Sequence, residues 1–176
     1  MRGPARPSPM TQPCRILPIM PSGFLPVPHC KQSADGMCLP ACAAMLTAYL
    51  GRPISQQHLA RLFDTQDFGT PASRIRRLDQ LGFSVIYESG SVPLLWHQIE
   101  SGVPCIVFVW TGDLPYWSVS TPHAIVVIAI TDDAVWVNDP AFDAAPQKVP
   151  LGDFELAWSE FDYRCAVIMR SGGKEL

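Results

Sequence analysis

Four residues carry the chemistry available to this sequence: Gln32, Cys38, His123 and Asp139. Cys38 follows a polar loop, Gln32-Ser-Ala-Asp-Gly-Met, and opens a run of Ala, Met and Leu. A thiol at a helix N-terminus faces unpaired N–H groups and the positive end of the helix dipole, and both favour thiolate. Free cysteine is mostly protonated at neutral pH, so this placement suits a nucleophile.

A cysteine nucleophile needs a base that takes its proton and returns it to the leaving group. His58 and His97 fall in helical patterns with no acidic partner in view, and His29 lies in a proline-rich stretch beside Cys30. His123 follows Thr121-Pro122 and begins the most apolar strand pattern of the chain. A lone histidine there is more often a satisfied core group, so position alone does not assign it. The residues that follow strengthen the assignment. If Thr131-Asp132-Asp133 makes a three-residue hairpin loop, Asp139 falls opposite Ile125 and diagonal to His123 on one face, about 7–8 Å away. A loop one residue shorter would put the two on opposite faces. Within reach, Asp139 would orient the imidazole and stabilise its charged form; in isolation it is a plain Asp-Pro turn residue. The N–H of Cys38 and the amide of Gln32, six residues upstream, would supply donors to an oxyanion.

These residues must be positioned by ordinary elements. The pattern predicts helices over Cys38–Leu50 and Gln56–Phe63, the second capped by Ser55, and a third opened by Thr70-Pro71 and ended at Gly82. The first is apolar nearly all round and is expected to be buried. Arg74, Arg76, Arg77 and Asp79 look like a solvated face of the third. Phe83–Tyr87 predicts a short strand and Leu94–Glu100 a fourth helix. Strand patterns follow at Cys105–Trp110, Ala124–Ile130, Ala134–Val137 and Cys165–Met169, with a short helix around 153–158 before the last. The class is α+β, with helices packed on a mostly antiparallel sheet.

The 176 residues, 48% of them hydrophobic, are enough for one self-sufficient core. Residues 1–28 hold eight of the eighteen prolines, so the chain divides into a flexible proline-rich segment, 1–25, and a domain, 26–172. No apolar run reaches membrane-spanning length, and the start lacks the apolar stretch of a signal peptide. A net charge of −3 without a basic run argues against nucleic acid as partner. Six cysteines without an export signal are read as reduced thiols in the cytoplasm, with Cys42, Cys105 and Cys165 packed in the core. A zinc site from His29, Cys30, Cys38 and Cys42 does not match usual ligand spacing, so no metal or other cofactor is expected.

Taken together, the Gln–Asp-Gly–Cys stretch, the helix ending at Tyr49-Leu50-Gly51, the later PHAIVVIAI…VWVNDP and the FELAW near the end resemble the papain-like bacteriocin-processing (double-glycine leader) cysteine peptidases. The resemblance spans about residues 26–170. It implies a papain-like fold and a peptide or protein substrate. Residue by residue, it implies Cys38 as nucleophile, His123 as base, Asp139 as orienter and Gln32 as oxyanion donor. Leu39 departs from the glycine common at that place and narrows the space beside the thiol. The long segment before His123 brings Tyr116 and Trp117, expected to wall a peptide groove. Membrane and ATPase domains of exporter-fused members have no counterpart in these residues, so a delivery partner or exporter stays unassigned. Two other functions suit the same residues: a silent peptide- or partner-binding module, or an acyltransferase passing the thioester to an amine.

Overall fold

The structure is a computed structural model, and it describes residues 14–15 and 23–172. Six strands form one antiparallel sheet in the order β1-β6-β2-β3-β4-β5: β1 Phe83–Ser89, β2 Cys105–Trp110, β3 Pro122–Ile130, β4 Ala134–Asn138, β5 Gln147–Pro150 and β6 Arg164–Arg170. The helices are α1 Cys38–Tyr49, α2 Gln56–Phe63, α3 Val92–Glu100 and α4 Leu151–Ser159, with a 3-10 helix over Ala72–Leu81. This is the α+β arrangement that the sequence implies.

The sheet separates two apolar clusters, and alternation along β3 shows why. Ala124, Val126 and Ile128 face α1, α2 and the 3-10 helix, whereas Ile125, Val127 and Ile130 face α3 and α4. A strand covered on both faces is apolar throughout, which explains the unbroken Ala124–Ile130 run. Residues Leu39–Thr47 of α1 are all buried. Caps set several boundaries: Ser55 Oγ accepts from His58 N at 3.2 Å, and Ser91 Oγ accepts from Leu94 N at 3.3 Å. The second cap starts α3 two residues earlier than the apolar pattern suggests. Strand β5 has no counterpart in the sequence reading, because Gln-Lys-Val-Pro offers almost no apolar alternation.

Two expectations need correction. Cys14 and Cys30 form a disulfide, so the six cysteines are not all thiols, and the cysteine argument for a reducing compartment falls with them. Arg15 and His29 exchange backbone hydrogen bonds of 2.8 and 2.9 Å, which bring Cys14 back beside Cys30. A stretch with eight prolines gives no local sign of that pairing. The arginines of the 3-10 helix are also engaged rather than merely solvated. Arg74 Nη1 donates to Phe63 O at 2.9 Å and Arg77 Nη1 to Leu62 O at 2.9 Å, satisfying the last carbonyls of α2. The remainder of the 1–25 segment, residues 1–13 and 16–22, lies outside the described residues. The Phe24 ring meets Trp136 edge-on at 5.1 Å. Among the described residues no helix is long and apolar enough to cross a membrane.

Candidate active site

Cys38 is the first residue of α1. Met37 precedes it and makes no side-chain cap, so the first-turn N–H groups keep their pull on the thiol. Pro40 sits within that first turn, where its missing N–H costs no helical bond. The Gln32–Met37 loop turns sharply at Gly36, which has φ +77° and lies so close to the Gln66–Gly69 turn that a Cβ would come 2.8 Å from Asp67 O. Only glycine fits that approach.

His123 and Asp139 meet through a register that holds by compensation. The hairpin closes with Ile130 opposite Val135, one residue off the three-residue loop expected from sequence. Carried down the strands unchanged, that offset would turn Asp139 to the other face from His123. A bulge between Val127 and Ala129 restores the alternation, setting Val127 opposite Val137 and Val126 opposite Asn138. One residue further, Asp139 stands against Ile125. His123 Nε2 donates to Asp139 Oδ1 at 2.7 Å, with the two side chains 4% and 0% exposed, so solvent does not screen the pair. Nδ1 is left for the thiol.

The carboxylate of Asp139 is fully occupied. Oδ1 also accepts from Ala141 N at 2.9 Å, and Oδ2 accepts from Tyr116 Oη at 2.8 Å and Trp117 Nε1 at 2.9 Å. The Trp117 ring covers His123 edge-on at 4.9 Å. Tyr116 therefore stands behind the carboxylate and is not among the residues lining the cleft, whereas Trp117 is at once a donor to Asp139 and a cleft wall.

The electrostatics follow from these contacts. Burial pushes the Cys38 thiol up, but the hydrogen bond and charge of His123, with the amides of Ala124 and Leu39, outweigh it and bring the pKa below the ordinary thiol value. Burial alone would disfavour the His123 imidazolium. The hydrogen bonds and charges of Asp139 and Cys38 prevail and raise its pKa to about 9. Burial likewise opposes ionisation of Asp139, but His123 and the Ala141 and Trp117 donors hold its carboxyl below the usual range. The three shifts favour a thiolate–imidazolium pair backed by a carboxylate at neutral pH. Cys42, one turn along α1, is the opposite case. It is fully buried, donates to Ala124 O at 3.3 Å, and is pushed well above the ordinary value by burial.

Gln32 lines the same cleft, and its Oε1 is buried without a hydrogen-bond partner. Oε1 can only accept, so the donor that Gln32 offers a ligand in the cleft is its Nε2 amide. Its backbone N–H donates to Pro140 O at 2.7 Å, one of three bonds joining residues 27–32 to 138–140. The others run from His29 Nε2 to Asp139 O at 3.0 Å and from Asn138 Nδ2 to Val27 O at 3.1 Å. These bonds hold the Gln32 loop against the Asp139 turn. Sequence reasoning missed His29 and Asn138, since a contact 110 residues away leaves no local mark. With Cys30 in the disulfide and His29 on Asp139 O, those two and the cysteines of α1 do not gather as ligands. No group of three or more His, Cys, Asp or Glu side chains is placed to hold a metal ion among the described residues.

The cleft has a volume of about 740 Å³. Gln32, Cys38 and His123 share it with Leu39, Phe108, Trp117, Val119 and Phe161, and Phe68 stands at its rim. A thiol, an imidazole and a free amide facing one partly apolar cleft suit nucleophilic attack on a carbonyl of an extended ligand.

Known proteins share this framework. The chain is similar to the Lactococcin-G-processing and transport ATP-binding protein LagD of Lactococcus lactis subsp. lactis, with 26% identity over 130 residues. That match covers 73% of the chain and spans 17% of the relative's length. Among solved structures, a C39-like peptidase from Bacillus anthracis superposes with a TM-score of 0.70 at 18% identity, covering 84% of this chain and 96% of that one. A double glycine motif protease from an AMS/PCAT transporter, solved with its leader peptide, gives 0.66 at 18% identity, covering 85% and 95%. The peptidase domain of Streptococcus ComA gives 0.63 at 20%, covering 80% and 96%. These likenesses establish the fold. The profile of the Peptidase_C39 like family matches residues 24–166, most of the folded chain, and the chain belongs to that family.

Proposed function

We propose that the protein is a cysteine peptidase that hydrolyses peptide bonds through Cys38, His123 and Asp139, with Gln32 and the Cys38 N–H as oxyanion donors. The observation that carries this reading is the buried His123–Asp139 pair, 2.7 Å long, presented to a thiol whose pKa it depresses. Sγ of the thiolate bonds to the carbonyl carbon, and the carbonyl electron pair moves onto oxygen, where Gln32 and the helix N-terminus receive the charge. As the C–N bond breaks, the imidazolium proton of His123 passes to the leaving nitrogen, and a thioester remains on Cys38. Water then attacks the thioester, gives its proton to His123, and releases the carboxylic acid and the thiolate. Leader-peptide processing is the substrate role that the transporter-linked relatives suggest. Tyr116 and Trp117 serve this scheme through Asp139, with Trp117 also forming a wall of the groove.

Cleavage of a peptide library by wild type, set against Cys38→Ala, tests the reading. New ends should arise with wild type alone, and Cys38→Ala should bind peptides with its fold intact. No cleavage, together with iodoacetamide labelling of Cys38 near pH 6 that is as slow as at buried Cys42, would refute it. Free amines present during turnover should leave the products as acids; an amide-linked product would mark an acyltransferase instead.

A further inference from the structure

Two carboxylates on the cleft have no side-chain partner among the described residues. Asp35 and Asp67 both line it, and neither has an ion pair or hydrogen bond to its side chain among the described residues. Some exposed aspartates elsewhere are engaged, Asp64 with Arg74 at 3.1 Å, Asp143 with Lys31 at 2.7 Å and Asp133 with Thr131 at 2.7 Å. Asp79, Asp132 and Asp162 also lack a side-chain partner among the described residues, so it is the place on the cleft that sets Asp35 and Asp67 apart. Among the described residues no lysine or arginine lines the cleft. The backbones that carry the two acids run close together, because a Cβ on Gly36, next to Asp35, would meet the carbonyl oxygen of Asp67 at 2.8 Å. Asp35 precedes Cys38 by three residues, so its Cα lies no more than about 11 Å from that of the nucleophile.

The rim beside them is apolar. Phe68, next to Asp67 at the tip of the same turn, is 90% exposed, and Val119 on the rim is 61% exposed. Large apolar side chains left in water at the edge of a 740 Å³ cleft are fit to cover the non-polar part of an extended ligand.

We infer that Asp35 and Asp67 select peptides carrying a lysine or arginine within about three residues of the attacked bond, the cationic head meeting the two carboxylates while its aliphatic stem lies along Phe68. This rests on the proposed peptidase reading of the same cleft and names the substrate class it prefers. Both carboxylates are open to solvent, so the selectivity comes from charge complementarity rather than from a buried ion pair. It amounts to about tenfold between lysine and glutamate at the selected position at low salt, from two exposed pairs attracting one and repelling the other. The preference shrinks as screening grows between about 50 mM and about 500 mM salt.

A random decapeptide library with blocked ends reads the preference directly. Wild type is compared with the double variant Asp35→Asn/Asp67→Asn and with Glu155→Gln/Glu160→Gln, which removes the same charge from exposed positions outside the cleft lining. Cut sites from wild type and from the Glu variant should show about fivefold or greater enrichment of Lys and Arg within three positions of the cleaved bond. The Asp variant should cut with that enrichment lost. Enrichment retained in the Asp variant, lost equally in both variants, or absent from wild type would overturn the inference. Should wild type cut nothing, the peptidase reading is decided separately by the iodoacetamide labelling of Cys38, and retention of the library on immobilised Cys38→Ala protein decides the charge preference. Basic peptides should then be held and be released when Asp35→Asn/Asp67→Asn is added. Retention without charge bias, or no retention, refutes it.

Discussion

Replacing Asp139 with asparagine probes the site most sharply, because the carboxylate accepts from four donors at once. Oδ1 receives His123 Nε2 at 2.7 Å and Ala141 N at 2.9 Å, and Oδ2 receives Tyr116 Oη at 2.8 Å and Trp117 Nε1 at 2.9 Å. An amide offers one acceptor atom and one NH2. If the NH2 takes the Oδ2 place it faces the indole N–H of Trp117, which cannot turn away as the tyrosine hydroxyl can. If it takes the Oδ1 place it faces the fixed amide of Ala141. Either orientation leaves one buried donor unpaired, a loss of about 1–3 kcal/mol. That corresponds to roughly 2–12 °C in Tm for a chain of this size. The chemistry should suffer more than the fold, because the imidazolium loses its buried counter-charge and the thiolate loses its partner. The assay is the pH dependence of Cys38 alkylation by iodoacetamide, followed by mass spectrometry of the Cys38 peptide. In wild type the reactive thiolate should persist well below the ordinary thiol pKa. In Asp139→Asn the acid limb should move up by a unit or more, with far-UV circular dichroism unchanged. An unshifted limb in a folded variant would refute the coupling of Asp139 to the thiol.

Other tests bear on separate features. Gln32→Ala should lower kcat by about 10²–10³ with KM little changed, as expected of an oxyanion donor. Its Tm should stay near wild type, because Oε1 has no partner to lose, and an unchanged kcat would remove Gln32 from the mechanism. Turnover should fall as pH rises through about 9, where His123 gives up the proton needed by the leaving amine, and a profile flat past pH 10 would contradict the ion pair. The sign for stability is the same: His123 is raised from 6.5 to about 9, so its contribution is complete below about 6.5 and lost as pH rises through about 9. Cys14→Ser should lower stability by about 3 kcal/mol, the value for a cross-link closing a loop near its 16-residue separation. Thermal denaturation with and without reductant checks this: wild type should fall to the variant's Tm on reduction, and equal Tm values throughout would show that the bridge contributes nothing.

The helices and most strands are legible because their signals are local. Ser55 and Gly82 stand at the ends where caps belong, α1 begins at Cys38, and β2 spans Cys105–Trp110 as its apolar run says. Periodicity and turn chemistry need no knowledge of distant chain. Strand β5 escaped because it is held by pairing with β4, Val149 against Val135, rather than by a pattern of its own.

The sequence alone determined which residue types could act, and that a thiol would open a buried helix. The tertiary structure decided how they meet. Hairpin closure at Ile130 and Val135 would by itself have separated His123 from Asp139, and the bulge after Val127 brought them back to one face. Tyr116, expected in the groove, was turned behind the carboxylate, and Cys14 was joined to Cys30 through a stretch with no local signal. Register, hydrogen bonds across a hundred residues and disulfide partners depend on what lies opposite in space. A one-residue shift in a strand reverses a side chain's direction while leaving the hydrophobic pattern almost as it was, so local pattern cannot fix those outcomes.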